Sequence, residues 1–180
     1  MNNNLLNLNY KQELQTARLT LRWMNKADRD FIFTLRSDPR VVEHTGTPYL
    51  DLARADAHLQ MIEEGIGQKH LSWTIFLTAT NQPIGTICFW NFSVDQKTAE
   101  LGYELLPDYW GQGYALEAIQ ALVDIGFKHY GFTDIVAYPR SANIASCRLL
   151  EKAGFKLVEE TILEGSEAGY LTSVYKVSKL

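Results

Sequence analysis

Two glycines one residue apart, Gly111 and Gly113, stand between an alternating segment that stops at Pro107-Asp108 and an apolar helical stripe that starts at Ala115. A strand that turns tightly through glycine into a long helix leaves several unpaired backbone N–H groups at the positive end of the helix dipole. Such a turn can cradle an anion, because glycine puts no Cβ in the way. The anion is not a nucleoside triphosphate in a P-loop, since no Lys-Ser/Thr pair follows the glycines. A dinucleotide fingerprint also fits badly: Leu116 stands where the third small residue belongs, and an antiparallel meander precedes the turn. Glycines that serve only the turn are the alternative reading. Two further pairs carry polar chemistry. Glu100 and Glu104 share one face of the strand ahead of the turn, because residues four apart on a strand point the same way. Asn143 and Ser146, three apart, open a later helix that Asn143 is suited to cap.

The elements that must position these residues read as mixed α/β. Arg18 to Met24 alternates as a strand, and Ala27 to Leu35 has helical spacing ended by Ser37-Asp38-Pro39. Leu52 to Glu64 is a second helix. Leu71 to Thr78 and Ile84 to Phe92 form a hairpin around Thr80-Asn81-Gln82-Pro83, and Thr98 to Leu105 follows as a third antiparallel strand. From Ala115 an apolar face marks a helix to about His129, with Gly131 as terminator. Ile135 to Tyr138 is a short central strand, a helix runs from Asn143 to Ala153, and Phe155 to Leu163 with Tyr170 to Val177 closes the chain as a hairpin.

The chain has 180 residues, with 17 basic against 21 acidic side chains. This length supports one domain with a full core. The acidic balance argues against gripping nucleic acid, whose partners are usually strongly basic on one face. Cys88 and Cys147 form no C-x-x-C and read as free thiols in a reducing compartment. His44, His58, His70 and His129 form no H-E-x-x-H set, so no metal is expected and each reads as a surface or packing residue. No long apolar run exists and the start lacks a signal-peptide pattern, so a soluble, cytoplasmic protein without a membrane partner is expected. Residues 1–15 are expected to be a flexible segment ahead of a domain over 16–180.

The run AELGYELLPDYWGQGYALEA (99–118) and the run NIASCRLLEKAGF (143–155) together resemble the GNAT family of acetyl-CoA-dependent N-acetyltransferases. Within it the chain is most similar to the ribosomal-protein N-terminal acetyltransferases, with their G-Y pair in the strand, W-G-x-G-Y-A at the turn, and N-x-x-S ahead of a terminal G-F. The run TARLTLR (16–22) resembles that branch more weakly. The resemblance implies a single mixed-sheet domain: an N-terminal antiparallel meander, a central strand pair that splays, flanking helices and a C-terminal hairpin. It implies that backbone amides of Gly111, Gln112, Gly113, Tyr114 and Ala115 bind the coenzyme A pyrophosphate. It also implies that Asn143 contacts the pantetheine arm, with Ser146 and Leu105 beside the bound thioester. Trp110 stands where the commoner family turn begins with Arg or Gln, a small departure for contacts made by backbone.

Acetyl transfer to an amine needs a neutral amine, a donor to the developing oxyanion and a proton for the departing thiolate. By resemblance the oxyanion donor is a backbone N–H near Tyr103 to Leu105. Many family members carry a Tyr acid seven residues after the Asn, but that position is Leu150 here. Ser146 becomes the candidate acid, with a serine that merely caps its helix as the alternative. Glu100 and Glu104 are candidate bases, against a plain reading as solvated strand carboxylates. Glu159, Glu160, Glu164 and Glu167 could draw a cationic amine to the entrance or simply solvate a loop. The expected activity is transfer from acetyl-CoA to a primary amine, a protein N-terminal α-amine first, by a monomer or weak homodimer. The alternatives are a small-molecule amine acetyltransferase, for a polyamine, aminoglycoside or amino acid, and a non-catalytic acyl-CoA sensor.

Overall fold

A computed structural model describes residues 13–46, 48–162 and 169–179. Its single sheet contains, in chain order, β1 (Leu14–Gln15), β2 (Leu19–Trp23), β3 (His70–Leu77), β4 (Gln82–Trp90), β5 (Thr98–Leu105), β6 (Asp134–Ala137), β7 (Lys156–Ile162) and β8 (Leu171–Ser178). The sheet order is β1-β2-β3-β4-β5-β6-β8-β7. All neighbours pair antiparallel except β5 and β6, which run parallel. Leu14–Gln15 therefore belongs to the folded sheet, as an edge strand on β2, and not to a flexible leader. The expected hairpin is present, but β8 rather than β7 lies beside β6.

The helices are α1 (Arg29–Ser37), α2 (Pro39–Thr45), α3 (Leu52–Gly65), α4 (Tyr114–Ile125) and α5 (Ile144–Lys152). Ser37-Asp38-Pro39 ends α1 as expected, yet the same residues also start α2, which the sequence reading lacks. The Asp38 side chain accepts from the Arg40 N–H at 2.9 Å and Pro39 takes the first helical turn, where its missing N–H costs nothing. The helix expected from Ala115 to His129 is α-helical to Ile125, and its last turn, Gly126–Tyr130, widens to π geometry before Gly131. A Cβ on Gly126 would lie 3.0 Å from Phe89 and 3.2 Å from Phe132, so glycine is what lets this turn approach the core aromatics.

Strand alternation divides the sheet into an apolar and a polar face. Ala99, Leu101 and Leu105 join the main core with Ala118, Ile119 and Leu122 of α4 and Leu150 of α5. Glu100, Gly102 and Glu104 point to the other side, toward α1 and α2. The parallel pairing of β5 with β6 covers only Thr98↔Asp134, Ala99↔Ile135 and Glu100↔Val136. Beyond Glu100 the two strands separate, which opens the sheet between its two faces.

Candidate active site

The separation of β5 and β6 is the floor of a cleft of about 850 Å³ that reaches from the start of α4 to the polar face of the sheet. On the α4 side its wall includes the glycine turn and the start of the helix. Gly111 and Gly113 have φ of +71° and +81°, values that favour glycine. A Cβ on Gly111 would meet nothing within 4 Å, and one on Gly113 only Arg18, so conformation rather than crowding demands these residues. The caps of α2, α3 and α5 are side chains, Asp38, Asp51 and Asn143, whereas α4 starts at Gly113 with none. The first amide of α4 to reach back to Gly113 is that of Glu117, at 3.1 Å, so the N–H groups of Tyr114, Ala115 and Leu116 have no partner within the helix. Gly111, Gly113, Tyr114 and Ala115 line the cleft, whereas Gln112 does not: its side chain donates to the Asp108 carbonyl at 2.8 Å and its carbonyl faces Arg18. An uncapped, positively polarised helix start over open space fits the pyrophosphate of acetyl-CoA.

Leu105 closes the strand at the edge of this turn. The Leu106 N–H donates to the Ile84 carbonyl of β4 at 2.9 Å, so by strand alternation the N–H and C=O of Leu105 point the other way, into the separation. The Trp110 indole N–H donates to that carbonyl at 2.8 Å, which ties the turn to the end of β5. The Leu105 N–H on the same edge is aimed where a thioester carbonyl can enter.

Across the cleft, the Asn143 side chain accepts the Ser146 N–H at 3.1 Å, so Asn143 is the cap of α5. This removes the capping alternative for the Ser146 hydroxyl, which instead pairs with the Tyr103 hydroxyl at 2.7 Å. Burial pushes the Tyr103 phenol up to about 12, so it stays protonated at neutral pH. Leu150, in the position of the family tyrosine, is wholly buried. The sequence reading used Tyr103 only as backbone and missed its side chain. The signal was present: a phenol aligned with Leu101 and Leu105 on an apolar face must find a polar partner for its hydroxyl.

Glu100 and Glu104 do share a face, but their surroundings differ. Glu104 Oε2 accepts from Arg36 Nε at 2.8 Å, and its side chain is only 9% exposed. Burial raises its pKa while the guanidinium opposes that rise. Glu100 accepts from the Asn91 amide at 3.2 Å and has no ion-pair partner among the described residues; burial raises its pKa as well. Gly102 lies between them, where a Cβ would come 3.1 Å from Cys88 Sγ and 3.7 Å from the Trp90 indole nitrogen, and Trp90 stands directly opposite Glu100 on β4. Val41, His44 and Thr45 of α2, with Tyr138 and Tyr170, complete this side. His44, expected at the surface or in packing, thus lines the cleft, while His58 packs at 6.1 Å from Tyr49 and burial lowers its pKa to about 4.

Glu159 and Glu160 lie on β7 away from the cleft lining, and Glu160 accepts from the Ser173 hydroxyl at 3.2 Å. Glu164 and Glu167 fall outside the described residues. Cys88 and Cys147 are free, and burial pushes the Cys88 thiol up to about 12. Among the described residues no group of three His, Cys, Asp or Glu could hold a metal, and no helix is long and apolar enough to cross a membrane.

The sheet is split at its parallel pair, with an uncapped helix start at the split. The family profile of the acetyltransferase (GNAT) domain matches residues 18–156. The uncharacterized N-acetyltransferase p20 of Bacillus licheniformis is 34% identical over 173 residues, covering 94% of this chain and 96% of p20. The chain belongs to the GNAT family and is an N-acetyltransferase. Its fold matches that of the ribosomal L7/L12 α-N-protein acetyltransferase RimL in complex with coenzyme A, at a TM-score of 0.84 and 19% identity, over 93% of this chain and 98% of that one. It also matches spermidine N-acetyltransferase of Vibrio cholerae in complex with CoA and spermine, at 0.78 and 17%, over 91% and 96%.

Proposed function

We propose that this protein moves the acetyl group of acetyl-CoA to a primary amine, a protein N-terminal α-amine being the acceptor, by direct attack on the thioester. The observation that carries the reading is the continuity of the cleft from the uncapped start of α4, past the Leu105 N–H, to the unpaired carboxylate of Glu100. In this reading the amides of Gly111, Gly113, Tyr114 and Ala115 hold the pyrophosphate, and that of Gln112 completes the turn. Asn143 guides the pantetheine arm. The Leu105 N–H donates to the oxyanion as the amine attacks the carbonyl carbon. Glu100 takes the proton that the attacking nitrogen sheds. Glu104, neutralised by Arg36, shapes the acceptor site and is the second choice as base. As the C–S bond breaks, Ser146 donates its proton to the departing sulfur, the Tyr103 hydroxyl passes its proton to Ser146 through their shared hydrogen bond, and Tyr103 regains a proton from solvent.

An α-amine, with a pKa of about 8, reaches its neutral form with modest help, whereas a lysine amine at about 10.4 needs a stronger base. A lone carboxylate suits the first task. The same carboxylate beside Trp90 and Tyr138 also suits a small cationic amine, which keeps a polyamine as the second reading. Coenzyme A release measured with N-terminal peptides, polyamines and aminoglycosides separates them. Highest kcat/KM on peptides is the expected result; turnover confined to polyamines would replace the first acceptor with the second.

A further inference from the structure

The glycine turn is held from behind by a residue distant in sequence. Arg18, immediately before β2, donates from Nε to Glu117 Oε2 at 2.7 Å and from Nη1 to the Gln112 carbonyl at 2.9 Å. Its guanidinium also lies 4.4 Å over the Tyr114 ring. Glu117, in the first turn of α4, is itself fixed: Oε1 accepts the Thr16 hydroxyl at 2.6 Å and the Arg18 backbone N–H at 2.8 Å. The run at 16–22 thus reaches the turn through two of its side chains.

An exposed ion pair contributes little to stability, and Arg18 is about half exposed. Its effect on orientation is larger. A peptide is planar and trans, so its C=O and N–H point in opposite directions. The carbonyl of the Gln112–Gly113 peptide is turned to Arg18, so the Gly113 N–H points away from Arg18, and Gly113 lines the cleft. Rotation of this plane turns ψ of Gln112 and φ of Gly113, and Gly113, at φ +81°, carries no Cβ to resist it. Among the described residues, no other hydrogen bond holds the Gln112 carbonyl. Rotation of that plane would aim a carbonyl oxygen at an anion in place of an N–H.

We propose that Arg18 is a positioning residue for the donor substrate: its fork between Glu117 and the Gln112 carbonyl holds the Gly113 N–H toward the pyrophosphate of acetyl-CoA. This rests on the reading of the turn as the pyrophosphate site. Arg18 acts through the peptide plane and not by touching the reacting atoms.

The test compares acetyl-CoA with S-acetylpantetheine, which has the same thioester but no pyrophosphate, in the wild type, Arg18→Ala, Arg18→Lys and Gly113→Glu. Arg18→Ala should raise KM for acetyl-CoA by about tenfold, the loss of one hydrogen bond to a charged group, with kcat nearly unchanged. Its kcat/KM with S-acetylpantetheine should equal that of the wild type. Arg18→Lys should lose as much, because a single ammonium keeps the charge but not the two-pronged geometry. Wild-type KM in Arg18→Ala, full acetyl-CoA affinity in Arg18→Lys, or equal losses with both donors would each overturn the proposal, the last by showing a general structural role that thermal unfolding would register. If instead Gly113→Glu keeps its acetyl-CoA affinity, the pyrophosphate reading itself is wrong and the proposal falls with it.

Discussion

On the α4 side of β5 the cleft is lined by the glycine turn and the helix start, Gly111, Gly113, Tyr114 and Ala115, where backbone N–H groups of the first helical turn lack a partner within the helix. On the opposite side the lining is of side chains: Glu100, Glu104, Trp90, His44, Tyr138 and Tyr170. The first wall comes from one stretch of chain that ends a strand and starts a helix. The second is collected from α2, β4 and β5 and from residues around β6 and β8. A backbone site depends on local conformation, so few sequences satisfy it and it is similar wherever it occurs. A side-chain site changes with every substitution on five elements, which is how one donor site can serve different acceptors.

The largest effect is expected where the backbone wall is blocked. Gly113→Glu should abolish acetyl-CoA binding in calorimetry, because it places a carboxylate at the helix start that must receive an anion. The fold should lose only about 1–2 kcal/mol, the cost of a side chain at this φ of +81°. A folded variant with normal affinity would make the turn purely structural and erase the contrast between the two walls.

Glu100→Gln tests the side-chain wall. It should lower kcat/KM for the amine about 100-fold while acetyl-CoA affinity stays at the wild-type value. Because burial raises the folded-state pKa of Glu100 above its unfolded value, ionised Glu100 costs the fold stability at neutral pH. That cost fades as pH falls through the folded pKa. Glu100→Gln should therefore melt at or above the wild type at pH 7, with the gap closing in acid. Undiminished turnover would pass the base role to Glu104 or water.

Ser146→Ala sits between the walls and should have the smallest effect of the three, a fall in kcat of roughly 10- to 100-fold with little change in acetyl-CoA affinity. Since Asn143 remains the cap, melting should change by no more than about 1 kcal/mol, the value of the lost hydroxyl pair. Tyr103→Phe should produce a parallel but weaker fall. Normal kcat in Ser146→Ala would leave water as the acid.

Much of the local geometry of the α4 wall was legible in the sequence because its information is local. Gly111 and Gly113 specify positive φ, Asn143 specifies a cap, and alternation along 98–105 puts Glu100 and Glu104 on one face. Periodicity likewise placed the main strands and the stripe of α4. What periodicity cannot give is a residue whose role depends on a partner far along the chain. Tyr103 meets Ser146 across 43 positions, Arg36 meets Glu104 across 68, and Arg18 meets Gln112 across 94.

The sequence by itself determined the glycine turn, the carboxylate spacing and the mixed α/β order, since each follows from backbone preference and side-chain period over a few residues. Only the tertiary structure decided that Glu104 is ion-paired and Glu100 is not, that Ser146 shares its hydroxyl with Tyr103, and that α2 lines the cleft on the polar side of the sheet. Those outcomes depend on which elements the open sheet brings together and on how much water it leaves around a charge, and neither is a property of any short segment.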